Sequence, residues 1–472
     1  MEGFLQGIAE FSAWIWGIPL ITLLLVSGLY MTFKLGFFQF RYFGYIVGQT
    51  FGSIFRRPKG EGTVTPFQAL TSALSSTIGA ANIVGVPAAI MFGGPGAIFW
   101  MWVIALIGMA LKFAESVLAV EYREKNGNGE FVGGPMYYMK KGLNMKWLGV
   151  WFSFALMIEL IPSIMVQGNS IANTVEATFS IPALWTGIAT AILVSIVVFG
   201  GIKRIGKVTE IFVPFMALMY VGGAVVILLM NVKAVPEFFM LIFNNAFSPA
   251  PVMGGFAGAA IVEVIRWGFA RGLYSNEAGL GTAPIAHAAA TTDHPVRQGF
   301  WAVIGVVVDT LIVCTATAFV ILSSGVWTEE GAMENSSALT SLAFEEYFGD
   351  FGAILVTIAL IFFVLSTILV VVFYGAKQAE FLFGTKASYG MQVVYIIAVV
   401  LGAVGAAEVI WGFLDIMLAA ILIPNVIAIL LLSNKVKDLK NEFFSSDEYY
   451  RKDLKVKKRA KRQKAVREEY ES

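Results

Sequence analysis

The chain predicts an all-α integral membrane protein with eleven transmembrane helices. Ten of them form a five-plus-five inverted repeat, preceded by one extra helix. Three observations lead there. First, 57% of the 472 residues are hydrophobic and only 14% charged, with mean hydropathy +0.75, whereas soluble chains carry about 25% charged residues. Second, apolar runs of about 18 or more residues recur along the whole length. Third, two such runs are interrupted by small, polar, glycine-containing stretches. One is Ser-Ser-Thr-Ile-Gly-Ala-Ala-Asn-Ile-Val-Gly at 75–85, and the other is Tyr-Ser-Asn-Glu-Ala-Gly-Leu-Gly at 274–281.

The predicted spans, in order, are 14–34, 66–93, 95–122, 148–178, 183–203, 208–231, 255–289, 298–323, 352–375, 391–407 and 411–433. The first is too long for a signal-peptide h-region, and Met1-Glu2-Gly3-Phe4 lacks a basic n-region, so a retained helix is expected. Trp14, Trp16, Trp100, Trp102, Trp147, Trp185, Trp301 and Trp411 fall near span ends, as an aromatic belt would. Segments 235–247 and 338–348 are short and amphipathic and are expected along the outer surface.

Charge then orients the spans. Segments 34–65, 123–147, 203–207, 290–297, 376–390 and 434–472 hold 29 of the 33 basic residues. The connection 324–351 carries Glu329, Glu330, Glu334, Glu345, Glu346 and Asp350 with no Lys or Arg. By the positive-inside rule the N-terminus is outside and the tail cytoplasmic, in the cell (plasma) membrane. The tail's basic run, Lys455 to Lys464, suits anionic inner-leaflet lipid rather than nucleic acid.

Omitting the first span leaves five beginning at one break and five at the other. Five is odd, so the second set runs inverted. The expected division is 1–35 (extra helix), 66–231 (first repeat), 255–433 (second repeat) and 434–472 (charged tail). In hydrocarbon an unwound stretch survives only where it is buried in protein or lines a cavity. Paired broken spans in two halves point to a transporter's binding site near the bilayer midplane.

Several classes lose support. One cysteine (Cys314) and two histidines (His287, His294) do not make a disulfide framework or a histidine-rich metal centre, and no cofactor is expected. Gly201 to Lys207 matches the start of a phosphate loop, but Val208 stands where Ser or Thr would hold Mg²⁺. No potassium-filter sequence, nucleophile elbow or HExxH is present, so an enzyme is not expected. A channel would betray itself by uncoupled ohmic current, a membrane enzyme by product, and a nontransporting sensor by binding without accumulation.

Several stretches together resemble the alanine/glycine:cation symporter family of the amino acid–polyamine–cation superfamily. They are Gly62 to Leu70, Gly79 to Gly85, Gly93 to Trp102, Gly133 to Tyr138 and Ser275 to Gly281. The resemblance covers about residues 14–433. It implies a leucine-transporter-type fold and import of small neutral amino acids coupled to sodium by alternating access, with proton coupling as the alternative ion.

With that class in view, the breaks gain a physical reading. The N–H end of a half-helix attracts a carboxylate and the C=O end a cation. Gly79, Ala80 and Ala81 are therefore assigned to backbone contact with the substrate carboxylate. Asn82 and Asn276 each offer an amide to the ligand, or else satisfy loose backbone. Ser366-Thr367 interrupts an apolar run; hydroxyls there either bond back to their own helix or, as the resemblance implies, complete a sodium site. The carbonyls of Ser75, Ile78 and Phe363 would supply the other oxygens, which suit a hard cation. Gln167 faces the site or hydrogen-bonds between helices.

Among the charges, Lys112 and Glu115 are spaced to pair. Glu263, Arg266, Arg271, Glu277, Asp309 and Asp415 suggest gates or structural ion pairs, and Glu159 a protonated acid. One departure concerns substrate size. Family members commonly carry Gly-Trp where this chain has Val370-Val371. A pocket widened at Val371 admits glutamine or serine beside alanine and glycine. The first break is likewise Gly79-Ala80-Ala81-Asn82 in place of the family's Gly-Thr-Gly-Asn.

Overall fold

The structure, a computed structural model, describes residues 7, 11, 14–79, 81–247, 261–333, 336–405 and 408–450. Side chains at 18, 177, 337, 408–413 and 415 are outside the description. Ala80, Glu334, the basic run of the tail, and the side chains of Trp411 and Asp415 therefore lie outside the described residues.

The described chain is almost wholly helical. In order it forms α1 (Ile18–Lys34), α2 (Pro66–Thr77), α3 (Val86–Gly93), α4 (Ala97–Glu121), α5 (Lys146–Phe179), α6 (Ala183–Val198) and α7 (Gly201–Met230). Then come α8 (Ile261–Asn276), α9 (Ala283–His287), α10 (Pro295–Val306) and α11 (Thr315–Ser324). Last are α12 (Asp350–Phe383), α13 (Thr385–Val404), α14 (Glu408–Leu431) and α15 (Ser433–Ser445). Short helices such as Ala234–Ala246 and Leu339–Phe348 fall on the two segments read as amphipathic. A two-strand antiparallel hairpin pairs Glu124 with Val132 and Lys125 with Phe131.

Each of the eleven expected segments contains helix, but not every one is a simple span. Among the described residues six helices are long and apolar enough to cross a membrane, or eight if each bent pair counts as one. The shortfall has local causes. Helices α1 and α6 have 17 and 16 residues, about 25 Å at 1.5 Å per residue against a hydrocarbon core of about 30 Å. The 255–289 segment stops being helical at Asn276, and its second half is the five-residue α9. Conversely, α12 runs on to Phe383, well past the expected 375.

The first broken helix starts cleanly. Thr65 Oγ1 accepts from Gln68 N (3.1 Å), and Gln68 Oε1 accepts from Thr65 N (3.0 Å), with Pro66 supplying a first helical residue that needs no N–H partner. Gln68 Nε2 then donates to Glu210 Oε2 (2.8 Å) on α7. From that fixed start α2 runs inward with every residue from Ala69 to Thr77 buried. Polar Thr71 and Ser72 reach Thr209 of α7 at 3.4 and 3.2 Å, so their hydroxyls are satisfied inside the bundle. Below the site, the strand-like segments 61–64 and 290–292 bridge to each other. Arg123 clamps them by donating to Glu61 O, Ala288 O and Ala290 O.

Candidate functional site

Two chain breaks meet in the interior. Helix α2 ends at Ile78, which is extended (φ −77°, ψ 101°), and the chain resumes as a π-helix over Ala81–Gly85. The helices on either side are bent by 46°. Glycine eases the approach here: a Cβ on Gly79 would lie 2.9 Å from Thr367 Oγ1, so that hydroxyl would have to shift. In the second break Glu277 sits in the left-handed region (φ 53°), as do Gly279 (φ 96°) and Gly281 (φ 84°). Three such residues within five turn the chain from α8 into α9.

A cavity of about 40 Å³ lies between them, room on the order of three waters. The first break contributes Ser76, Thr77, Gly79 and Ala81; the second contributes Tyr274, Glu277, Leu280 and Thr282. Helix α5 adds Glu159, Leu160, Ser163 and Gln167; α12 adds Thr367, Val371 and Tyr374; α14 adds Leu418.

The hydroxyl pair on α12 reaches the first break. Thr367 Oγ1 is 2.7 Å from Ser75 O and 2.9 Å from Phe363 O, and Ser366 Oγ is 2.9 Å from Phe363 O. The two bonds to Phe363 O are the back-bonds expected of membrane hydroxyls; the contact with Ser75 O crosses 292 residues of sequence. Ser75, Ile78, Phe363, Ser366 and Thr367 are all buried, and Ser75 Oγ has no hydrogen-bond partner among the described residues.

The two asparagines are placed otherwise. Neither lines the cavity. Asn82 Oδ1 accepts from Gly79 N (3.0 Å), so the N–H expected to meet a carboxylate is already engaged. Asn82 Nδ2 donates to Asp309 Oδ1 (2.8 Å) and lies 3.3 Å from Ser275 Oγ. Asp309 also accepts from Ser275 Oγ and from Thr310 Oγ1. This buried cluster joins the first break, α8 and the π-helix Val307–Cys314 behind the cavity. Asn276 Oδ1 accepts from Ala278 N (3.0 Å) and so holds the turn of the second break.

Lys112 and Glu115 do not close a salt bridge among the described residues. Lys112 Nζ donates to Glu277 O (3.0 Å), satisfying a carbonyl that the break leaves unpaired. Glu115 Oε1 accepts from Asn425 Nδ2 (2.6 Å), which also donates to Gly279 O (2.8 Å). Each therefore supports the second break rather than the other. Arg266 does pair with Glu263, at 3.2 Å. Of the polar residues after Pro162, Gln167 faces the cavity, while Asn169 Nδ2 donates to Gly405 O (2.9 Å) and Ser170 bonds back to Val166 O.

Ser76, Thr77, Ser163, Thr282 and Tyr374 line the cavity without having been singled out in the sequence. Ser163 had a signal: it stands four residues from both Glu159 and Gln167, on one helical face. Ser76 and Thr77 lay inside the break already marked. Tyr374 had none, being one aromatic in an apolar run.

The model of the sodium:alanine symporter family matches residues 1–458. An uncharacterized transporter of Bacillus subtilis (strain 168), YflA, is 64% identical over 458 residues, covering 97% of both chains. The sodium/alanine symporter AgcS of Methanococcus maripaludis is 42% identical over 438 residues, 92% of this chain and 96% of its own. In fold, the chain resembles the crystal structure of MhsT in complex with L-phenylalanine. The TM-score is 0.58 at 14% identity, over 79% of this chain and 89% of that one. With its helical bundle and broken-helix cavity, the chain is a multi-pass membrane transporter and belongs to the sodium:alanine symporter family.

Proposed function

We propose that the protein imports small neutral amino acids, of the alanine and glycine class, together with sodium. The observation that carries this reading is the Thr367 hydroxyl against Ser75 O at 2.7 Å, at the edge of the cavity between the two breaks. The Thr367 hydroxyl donates to both carbonyls at 2.7–2.9 Å, which gathers hard oxygen donors from α2 and α12 at one point, the ligand type a hard cation prefers. Sodium, a transported substrate here, would be held by the carbonyls of Ser75, Ile78 and Phe363 and the hydroxyls of Ser366 and Thr367. The C-terminal end of α2 adds its negative dipole to that set.

The amino acid would occupy the adjoining cavity, which at about 40 Å³ has to widen to take it. Gly79 precedes and Ala81 opens the next half-helix, whose positive end favours a carboxylate, and Ala80 is assigned with them from the sequence alone. Because Gly79 N is held by Asn82, the carboxylate is left to the N–H groups beyond it. Thr367 lines the cavity and belongs to the cation shell at once, so either ligand stabilises the arrangement the other needs. That is the physical content of coupling. Alternating access would move the two repeats, 66–231 and 255–433, around this site, with the N-terminus outside and the tail in the cytoplasm of a plasma membrane.

Uptake into proteoliposomes under an imposed sodium gradient, across a panel of neutral amino acids, tests this. Thr367→Ala is expected to weaken apparent sodium affinity by about 2–3 kcal/mol, as for other charge-assisted contacts, while the protein still folds. Equally fast uptake in sodium-free buffer without a pH gradient would refute sodium coupling.

A further inference from the structure

We infer that Glu159 is the counter-charge for the substrate's ammonium group, with Gln167 as an added acceptor on the same helix face. The inference rests on the amino-acid reading above and says which wall of the cavity receives the positive end.

The cavity contains two carboxylates, and they are not equivalent. Glu277 Oε2 accepts from Thr282 Oγ1 and lies 3.4 Å from Ser76 Oγ, so this acid ties the second break to the first. Lys112 bonds the backbone of the same residue. Glu159 is 3% exposed and lines the cavity, yet has no hydrogen-bond donor or cation among the described residues; the acid it feels is Glu277. The nearby phenols give it no proton bond: Tyr395 donates to Met157 O (2.7 Å), and Tyr374 is paired with Ser76 Oγ at 3.5 Å.

Gln167 repeats the pattern two turns along α5. It is buried at 6% exposure, lines the same cavity, and its Oε1 has no partner among the described residues. Ser163 stands between them on the same stripe. Buried acceptors without donors are costly, and a buried carboxyl without a cation holds its proton instead of a charge until one arrives. One helix face thus presents acceptors that a bound donor can satisfy, and a cationic donor lets Glu159 ionise beside it as its proton leaves to water. An α-ammonium brings three N–H bonds and one positive charge. The orientation closes: carboxylate to the half-helix start of the first break, ammonium to α5, side chain toward Val371.

The test compares Glu159→Gln and Glu159→Asp with wild type in sodium-containing proteoliposomes. Labelled alanine uptake is competed by unlabelled alanine and by lactate, in which a hydroxyl replaces the ammonium. Wild type is expected to favour alanine over lactate by about 100-fold or more, because an unpaired buried charge penalises the wrong ligand. Glu159→Gln keeps size and a carbonyl acceptor but removes the charge. It should lose alanine affinity by about 10–100-fold and narrow the alanine-to-lactate ratio by a similar factor. Glu159→Asp, which keeps the charge, should retain most of the ratio. Should Glu159→Gln not yield folded protein, the Glu159→Asp ratio and a Gln167→Leu variant, expected to lose about tenfold in alanine affinity, carry the test. An unchanged ratio in Glu159→Gln, or unchanged affinity in Gln167→Leu, would overturn the inference. Failure of wild type to take up any neutral amino acid would instead overturn the substrate reading.

Discussion

Val371 lines the cavity at 5% exposure, four residues after Thr367 on α12. Its position gives the substrate-size argument a place in space, since the side chain is buried at the cavity wall. Glutamine carries several more heavy atoms than glycine or alanine. Val371→Trp should therefore preserve glycine and alanine uptake and depress uptake of bulkier neutral amino acids. A packed site absorbs added atoms only with strain of about 1–3 kcal/mol, equivalent to roughly 5- to 150-fold in discrimination. The measurement is the ratio of glutamine to alanine uptake, and an unchanged ratio would remove Val371 from specificity.

At the scale of elements, the two breaks were legible because small and polar residues interrupt apolar runs, a local signal. The hydroxyl pair Ser366-Thr367 was legible for the same reason. What holds the breaks together was not. Asn82 reaches Asp309 across 227 residues of sequence, and Asn425 reaches Glu115 across 310. Periodicity carries no information on such pairings. The spacing of Lys112 and Glu115 suggested a local pair, but both side chains found backbone or amide partners at the second break, where unpaired carbonyls compete for donors. The same logic recasts Asn82 as a clamp. Asn82→Ala would strand Gly79 N–H and remove a donor from Asp309 in a buried cluster, costing about 1–3 kcal/mol per unsatisfied group. It should lower the apparent melting temperature in detergent and slow uptake without altering the alanine-to-glutamine ratio. An unchanged melting temperature would mean that the cluster does not support the break.

For the whole molecule, orientation rests on the distribution of charge, and one helix is enough to test it. Helix α12 contains 34 residues, about 51 Å at 1.5 Å per residue, which exceeds the hydrocarbon core of about 30 Å. It separates the acidic connection that carries Glu330 from the segment that carries Lys386, and both side chains are exposed. A single crossing must place them on opposite sides, whatever the number of spans before it, and the positive-inside rule puts Lys386 in the cytoplasm. Cys314 is buried and is the sole cysteine, so a Cys314→Ser background leaves no competing thiol. On it, Glu330→Cys should react with an impermeant maleimide added to intact cells. Lys386→Cys should react only after permeabilisation. Labelling of both from outside would show that α12 does not cross, and the reverse pattern would invert the molecule and with it the direction assigned to transport.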